Sequence, residues 1–293
     1  MTDTLDRFIF ENRSIRGEIV SLEKSFQEVI ASAAYPLAVQ QLLGELMLAT
    51  SLLTATLKFE GEIALQIQSE GPIRYAVING THEQKLRGVA RWDETLEDFP
   101  TTFNDWFVKG VLAITLSPKD GQRYQGIVAL DGDSLSACLE EYFLQSEQLL
   151  TKVNLMTEIN DTPRAAGVLI QIIPTTSESS NVQTNPDFEH VVHLAGTITK
   201  DEIMALSHQE MIYRLYHDDV VRVFEPKSVE FYCDCSKERS ANALKSVSKD
   251  ELLNIIEEDG VIAMDCQFCH KKYTFDAIDV ENIHGQNLDS GSA

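Results

Sequence analysis

Two tight cysteine pairs in the last fifth of the chain constrain it more than any other feature. They are Cys233-Asp234-Cys235 and Cys266-Gln267-Phe268-Cys269, separated by 30 residues. Short-spaced pairs folded back on each other supply four thiolates, the tetrahedral set that Zn²⁺ takes at about 2.3 Å from sulfur. Four cysteines leave no position for a substrate, so such a site is closed and non-catalytic. The intervening residues support the folding back. Ser248-Lys249-Asp250-Glu251 has the form of a capping box, Leu252, Ile255 and Ile256 make a helical stripe, and Gly260 is placed to end the helix. Val261 to Met264 leads into the second pair and Tyr273 to Phe275 leads away from it, which makes Cys266 to Cys269 the turn of a hairpin.

The same letters admit other chemistry. Cys266 to His270 matches the C-x-x-C-H pattern of haem attachment, which leaves Cys233 and Cys235 unexplained. A thioredoxin-like C-x-x-C sits at a helix start, whereas strand signals flank this pair. A purely structural zinc ribbon is the serious alternative. Two points favour a switch over a staple. A disulfide within C-x-C is strained and labile. Residues 231–280 hold too little apolar surface to be safely stable alone, so metal binding, worth on the order of 10 kcal/mol or more in small zinc peptides, would supply much of their folding free energy. His270 is left out of the shell because four cysteines complete it.

The 293 residues are enough for about two domains. With 43% hydrophobic residues the chain can fold, and its net charge of −22 repels phosphate backbones and anionic lipid. No basic patch offsets that charge: Lys227, Lys237, Arg239, Lys245, Lys271 and Lys272 are scattered among acids. Neither a nucleic-acid nor a membrane role is expected. Met1 to Glu11 carries Asp3, Asp6 and Arg7 and no apolar run, so a cytoplasmic location is expected. The low-charge run Leu46 to Leu57 falls short of the roughly 20 residues that span a bilayer and reads as buried helix. No P-loop, G-x-S-x-G or Gly-rich dinucleotide turn occurs, which argues against an enzyme.

Strand patterns cover Ser14 to Leu22, Glu62 to Gln68, Ile73 to Asn79, Leu86 to Arg91, Val111 to Leu116, Arg123 to Leu130, Val153 to Ile159 and Gly167 to Ile173. Leu37 to Leu57, after Pro36, is apolar nearly all round and is expected as the central helix. Ser134 to Leu149 closes the domain as an amphipathic helix with Leu135, Cys138, Leu139, Tyr142 and Phe143 on one face, making Cys138 a packed core thiol. Strand runs interrupted by helices indicate an α+β fold. From Thr175 to Asp187 turn formers dominate and mark a loop or boundary. Two short helices follow, opened by the capping boxes Thr199 to Glu202 and Ser207 to Glu210. Their stripe includes Met204, Met211, Ile212 and Leu215 and forms either ordinary packing on the first domain or a detachable connector. The expected division is a core of sheets and helices at 1–175, a linker with short helices at 176–230, a four-cysteine zinc module at 231–282, and a polar tail at 283–293.

The residues together resemble a known family. Cys233-x-Cys235-Ser236-Lys237-Glu238-Arg239, Glu257 to Gly260, Cys266-x-x-Cys269 and Tyr273-x-Phe275 look like the redox switch of the heat shock protein 33 family. Ser69 to Pro72, Arg87 to Arg91, Arg123 to Gly126, Glu141 to Phe143 and Ser146 to Gln148 resemble its amino-terminal core, so the likeness covers nearly the whole chain. Some members carry an extra cysteine where this chain has Ser240, which bears only on accessory thiol chemistry. The resemblance implies a cytoplasmic, ATP-independent holdase that binds unfolding proteins. It would be inactive when reduced with one Zn²⁺ per chain on Cys233, Cys235, Cys266 and Cys269. Oxidation would pair Cys233 with Cys235 and Cys266 with Cys269, release zinc and loosen the linker. The oxidised form would be a homodimer that passes clients to the heat shock protein 70 system. The competing expectation is a constitutive interaction protein with a structural zinc ribbon.

Overall fold

The computed structural model describes residues 2–57, 59–173 and 185–285. Most of the expected boundary loop, residues 174–184, and the end of the polar tail, 286–293, lie outside these. The chain divides into two compact units, Met1–Tyr232 and Cys233–Ala293.

The first unit opens with the hairpin β1 (Thr4–Phe10) and β2 (Ile15–Leu22), followed by helices α1 (Lys24–Ile30) and α2 (Leu37–Thr56). Then come β3 (Gly61–Gln68), β4 (Ile73–Thr81), β5 (Lys85–Trp92), the single turn α3 (Phe103–Trp106), β6 (Val111–Pro118) and β7 (Tyr124–Ala129). Helix α4 (Leu135–Ser146) precedes β8 (Thr151–Glu158) and β9 (Arg164–Ile172). Helices α5 (Pro186–Ala195), α6 (Lys200–Ala205) and α7 (His208–Tyr216) lead into three short strands, β10 (Val221–Val223), β11 (Lys227–Ser228) and β12 (Glu230–Phe231). The fold is α+β, as the strand and helix pattern indicates.

Two sheets sandwich α2. The first runs β10-β1-β2-β9-β8, with β11 also on β1, and the second runs β12-β5-β4-β3-β6-β7. Among the described residues only the β12–β5 pair is parallel. Helix α2 touches β2, β8 and β9 on one side and β3, β4 and β5 on the other. Its 20 residues are long and apolar enough to cross a membrane by length and composition, but 72% of that stretch is buried inside the protein, which makes it a core helix. Leu42, Leu46 and Leu52 are fully buried there against Leu65 and Ile67 of β3 and Leu169 of β9.

The alternation in β3 is realised with Ile63, Leu65 and Ile67 inward. Strand β2 departs from it. All but Arg16 of its residues are buried, because a second apolar cluster covers the outer face of the first sheet. Phe8, Phe10, Ile15 and Ile19 from the sheet pack there against Val191, Ile203, Met204, Met211, Ile212 and Tyr216 from α5, α6 and α7. Phe8 lies over Gly17 of the neighbouring strand, where a Cβ would come within 2.2 Å of its ring. The connector helices are therefore docked on the core. Among the described residues they number three, where two were expected: Asn185 caps the Phe188 N–H and Pro186 opens α5 at its first turn.

In the second unit, α8 (Lys237–Leu244) and α9 (Lys249–Asp259) precede the hairpin β13 (Ile262–Asp265) and β14 (Lys272–Phe275), and α10 (Ala277–Gly285) follows. Ser248 accepts the Glu251 N–H at the start of α9, and Gly260, at φ 83°, ends it as the spacing predicts. Leu244, Leu252, Ile262, Tyr273, Phe275, Val280 and Ile283 form the core of the unit.

Candidate metal centre

The four cysteine sulfurs lie within 4.8 Å of one another, all half-buried. Cys233 Sγ is 3.6 Å from Cys266 Sγ, and Cys235 Sγ is 3.3 Å from Cys269 Sγ. Four sulfurs at about 2.3 Å from a shared centre would stand about 3.8 Å apart, so the arrangement fits a tetrahedral thiolate-bound ion of the zinc type. The hairpin sets the second pair. The His270 N–H donates to the Cys266 carbonyl at 2.8 Å, and the Cys266 N–H donates to the Lys271 carbonyl at 3.0 Å. Closing that turn places His270 at φ 55° with an exposed side chain. The first pair leads directly into α8, where Ser236 caps the Arg239 N–H and the Arg239 guanidinium pairs with Asp234.

Three of the thiols differ in their electrostatics. Burial pushes Cys233 up. Burial also opposes ionisation of Cys235, but hydrogen bonds from Tyr273 and from the neighbouring thiols of Cys269, Cys233 and Cys266 outweigh it and bring Cys235 down to about 7. Cys269 is pushed up to about 12, first by burial and then by the adjoining thiols. Without a cation Cys235 ionises readily, whereas Cys233 and Cys269 lose their protons only against burial and the neighbouring sulfurs. Such a cluster holds a divalent cation well and is costly to keep ionised without one.

Tyr273 is the contributor that the cysteine pattern does not reveal. Its hydroxyl lies 2.9 Å from the Cys235 carbonyl and 3.2 Å from Cys235 Sγ. Alternation along β14 buries Tyr273 and Phe275 on one face, which was the available signal. In the first unit, Cys138 on α4 is 3% exposed, with its thiol raised chiefly by burial, a packed core residue as expected.

A two-sheet core carrying docked connector helices, followed by a small unit whose four thiols could hold a metal ion, defines the class of protein. Comparison with known proteins narrows the class. The family model described as Hsp33 protein matches residues 3–276. The 33 kDa chaperonin of Pseudoalteromonas atlantica is 54% identical over 283 residues, covering 96% of this chain and 95% of that protein. The 33 kDa chaperonin of Shewanella oneidensis is 48% identical over 290 residues, covering 99% and 98%. Among solved structures, the 33 kDa chaperonin of Thermotoga maritima superposes with a TM-score of 0.82, covering 98% of this chain and 99% of that one at 22% identity. The chain belongs to the Hsp33 family and is a chaperone.

Proposed function

We propose that this chaperone is a redox-regulated, ATP-independent holdase whose thiol cluster decides whether the connector stays docked. The observation that carries the reading is the convergence of four unpaired thiols in a unit whose apolar core has seven buried residues. Zn²⁺, one per chain on Cys233, Cys235, Cys266 and Cys269, would supply the charge that lets all four thiols ionise and hold the unit folded. Peroxide would oxidise two thiols to a disulfide and be reduced to two waters, once for Cys233 with Cys235 and once for Cys266 with Cys269, the family's pairing. Sulfurs so joined no longer serve as thiolate ligands, and the unit loses its main stabilisation.

In this reading residues 1–175 are the core, 176–230 the linker and 231–282 the switch, which α10 and its buried Ile283 carry on to Gly285, with the rest of 283–293 a tail. Loss of the folded switch lowers the cost of releasing the linker, which uncovers the apolar face around Phe8, Phe10 and Ile19. Unfolding client proteins bind there in the cytoplasm, the oxidised chain dimerises, and clients pass to the heat shock protein 70 system. No residue is assigned a catalytic role.

The test treats zinc-loaded protein with peroxide at heat-shock temperature and follows zinc release together with aggregation of an unfolding reporter protein. Zinc release and suppressed aggregation that rise together and reverse with reductant support the switch. Zinc retention, or release with client and chaperone precipitating together, supports a structural zinc ribbon in a constitutive interaction protein instead.

A further inference from the structure

The docked connector is held by more than apolar packing. His208, the first residue of α7, reaches a side chain on each of the two paired strands β1 and β2. Its Nδ1 lies 2.6 Å from Asp6 Oδ2 on β1 and its Nε2 lies 2.6 Å from Ser21 Oγ on β2. Asp6 is 6% exposed, Ser21 3% and His208 9%. A cavity of about 400 Å³ adjoins the three, walled by Met204, Leu206 and Pro226 from the linker and Thr4 from the core.

The connectivity is that of a serine nucleophile, its base and an orienting acid. Ser21, however, lies in a strand paired on both sides, by β1 and by β9. Its hydroxyl is enclosed, and its backbone is committed to the ladder. The consequence is mechanical. We propose that Asp6, His208 and Ser21 form a polar latch that fixes α7 on the core in one register and sets the threshold at which the connector comes off. The inference rests on the reading that connector release activates the chaperone.

Two of the three groups stay on the core when α7 leaves, and all three then regain water. The docked state alone demands that they find one another. A connector docked one turn out of place buries the Asp6 carboxylate without its imidazole, so the latch enforces register as well as attachment. Other polar ties reinforce the docking: Arg13, in the turn between β1 and β2, pairs with the exposed Asp187 and with the buried side chain of Asp219, and Arg164 donates to the Met204 carbonyl at 3.2 Å.

The test is amide exchange by mass spectrometry on the full-length, reduced, zinc-loaded chain. His208→Ala leaves Asp6 buried and unpaired in the docked state, so exchange across 208–216 is expected to rise by roughly a hundredfold or more while 164–172 keeps its protection. Asp6→Asn in the His208→Ala background removes the stranded charge and is expected to recover at least roughly tenfold. Ser21→Ala, the mildest change, is expected to give an increase smaller than that of His208→Ala. Unchanged exchange in His208→Ala, or no recovery in the double variant, overturns the latch. Aggregation suppression without oxidant is read on the same samples. If α7 loosens as expected but no oxidant-independent suppression follows, the latch stands and the linkage of connector release to activity fails.

Discussion

Replacing Tyr273 by phenylalanine removes one oxygen from the candidate metal centre and leaves the ring that packs in the small core. The hydroxyl serves two acceptors, the Cys235 carbonyl at 2.9 Å and Cys235 Sγ at 3.2 Å. It is also the leading contributor to the depression of Cys235 from its ordinary 9.0 to about 7. If that depression vanished entirely, the thiolate share of Cys235 at pH 7.5 would fall from about three quarters to about 3%, roughly a 25-fold loss in ligand readiness. The neighbouring thiols also depress Cys235 and remain in place, so roughly tenfold is expected, at the lower end of the 10- to 100-fold range for groups that support metal ligands. Competition with a chromophoric chelator measures the affinity directly, and the same chromophore follows zinc release by peroxide, expected to be faster in Tyr273→Phe. An affinity within twofold of the parent together with an unchanged release rate would refute the reasoning, and would mean that the hydroxyl serves the carbonyl alone.

Glu18, in the first unit, offers a separate pH-dependent test. Burial raises its carboxyl from 4.5 to about 7 against the lowering influence of Arg16 and Arg7, and Oε2 has no hydrogen-bond partner among the described residues. The folded state therefore holds this proton more tightly than the unfolded one, and the associated stability is full below about 4.5 and lost as pH rises through about 7. Glu18→Gln is expected to gain about 3 kcal/mol relative to the parent between pH 4.5 and pH 8, at 1.36 kcal/mol per pH unit, measured by urea unfolding at both values. In the second unit, Leu252 is 1% exposed, and Leu252→Ala is expected to cost about 2–5 kcal/mol. Metal-bound protein should tolerate that loss and metal-free protein should not, so thiol labelling in chelator is expected to be much faster in the variant while labelling with zinc present stays slow.

Much of the metal centre was legible because ligand spacing, capping boxes and glycine placement are local codes. Cys233, Cys235, Cys266 and Cys269 converge, Ser248 and Gly260 bound α9, and the turn between β13 and β14 falls at Cys266 to Cys269. What was hidden depends on contacts between distant segments. Strand β1 carries Asp6, Phe8 and Phe10 toward the connector and Leu5 toward α2, so burial on both faces erases the alternation that would have marked it. Strands β10 to β12 are two or three residues long and have no period to detect. The pairing of Asp6, Ser21 and His208 spans 202 residues in sequence and leaves no local trace.

The return path of the chain after α7 has a consequence of its own. Strands β10 and β11 pair with β1, β12 pairs with β5, and the Tyr232 N–H donates to the Leu86 carbonyl just before Cys233. These are short ladders at the margins of two different sheets, so they can peel away one at a time while the longer inner ladders hold. Each departure turns an interior strand into a border. β1 and β5 would then present a row of backbone donors and acceptors that any extended polypeptide can match, whatever its side chains.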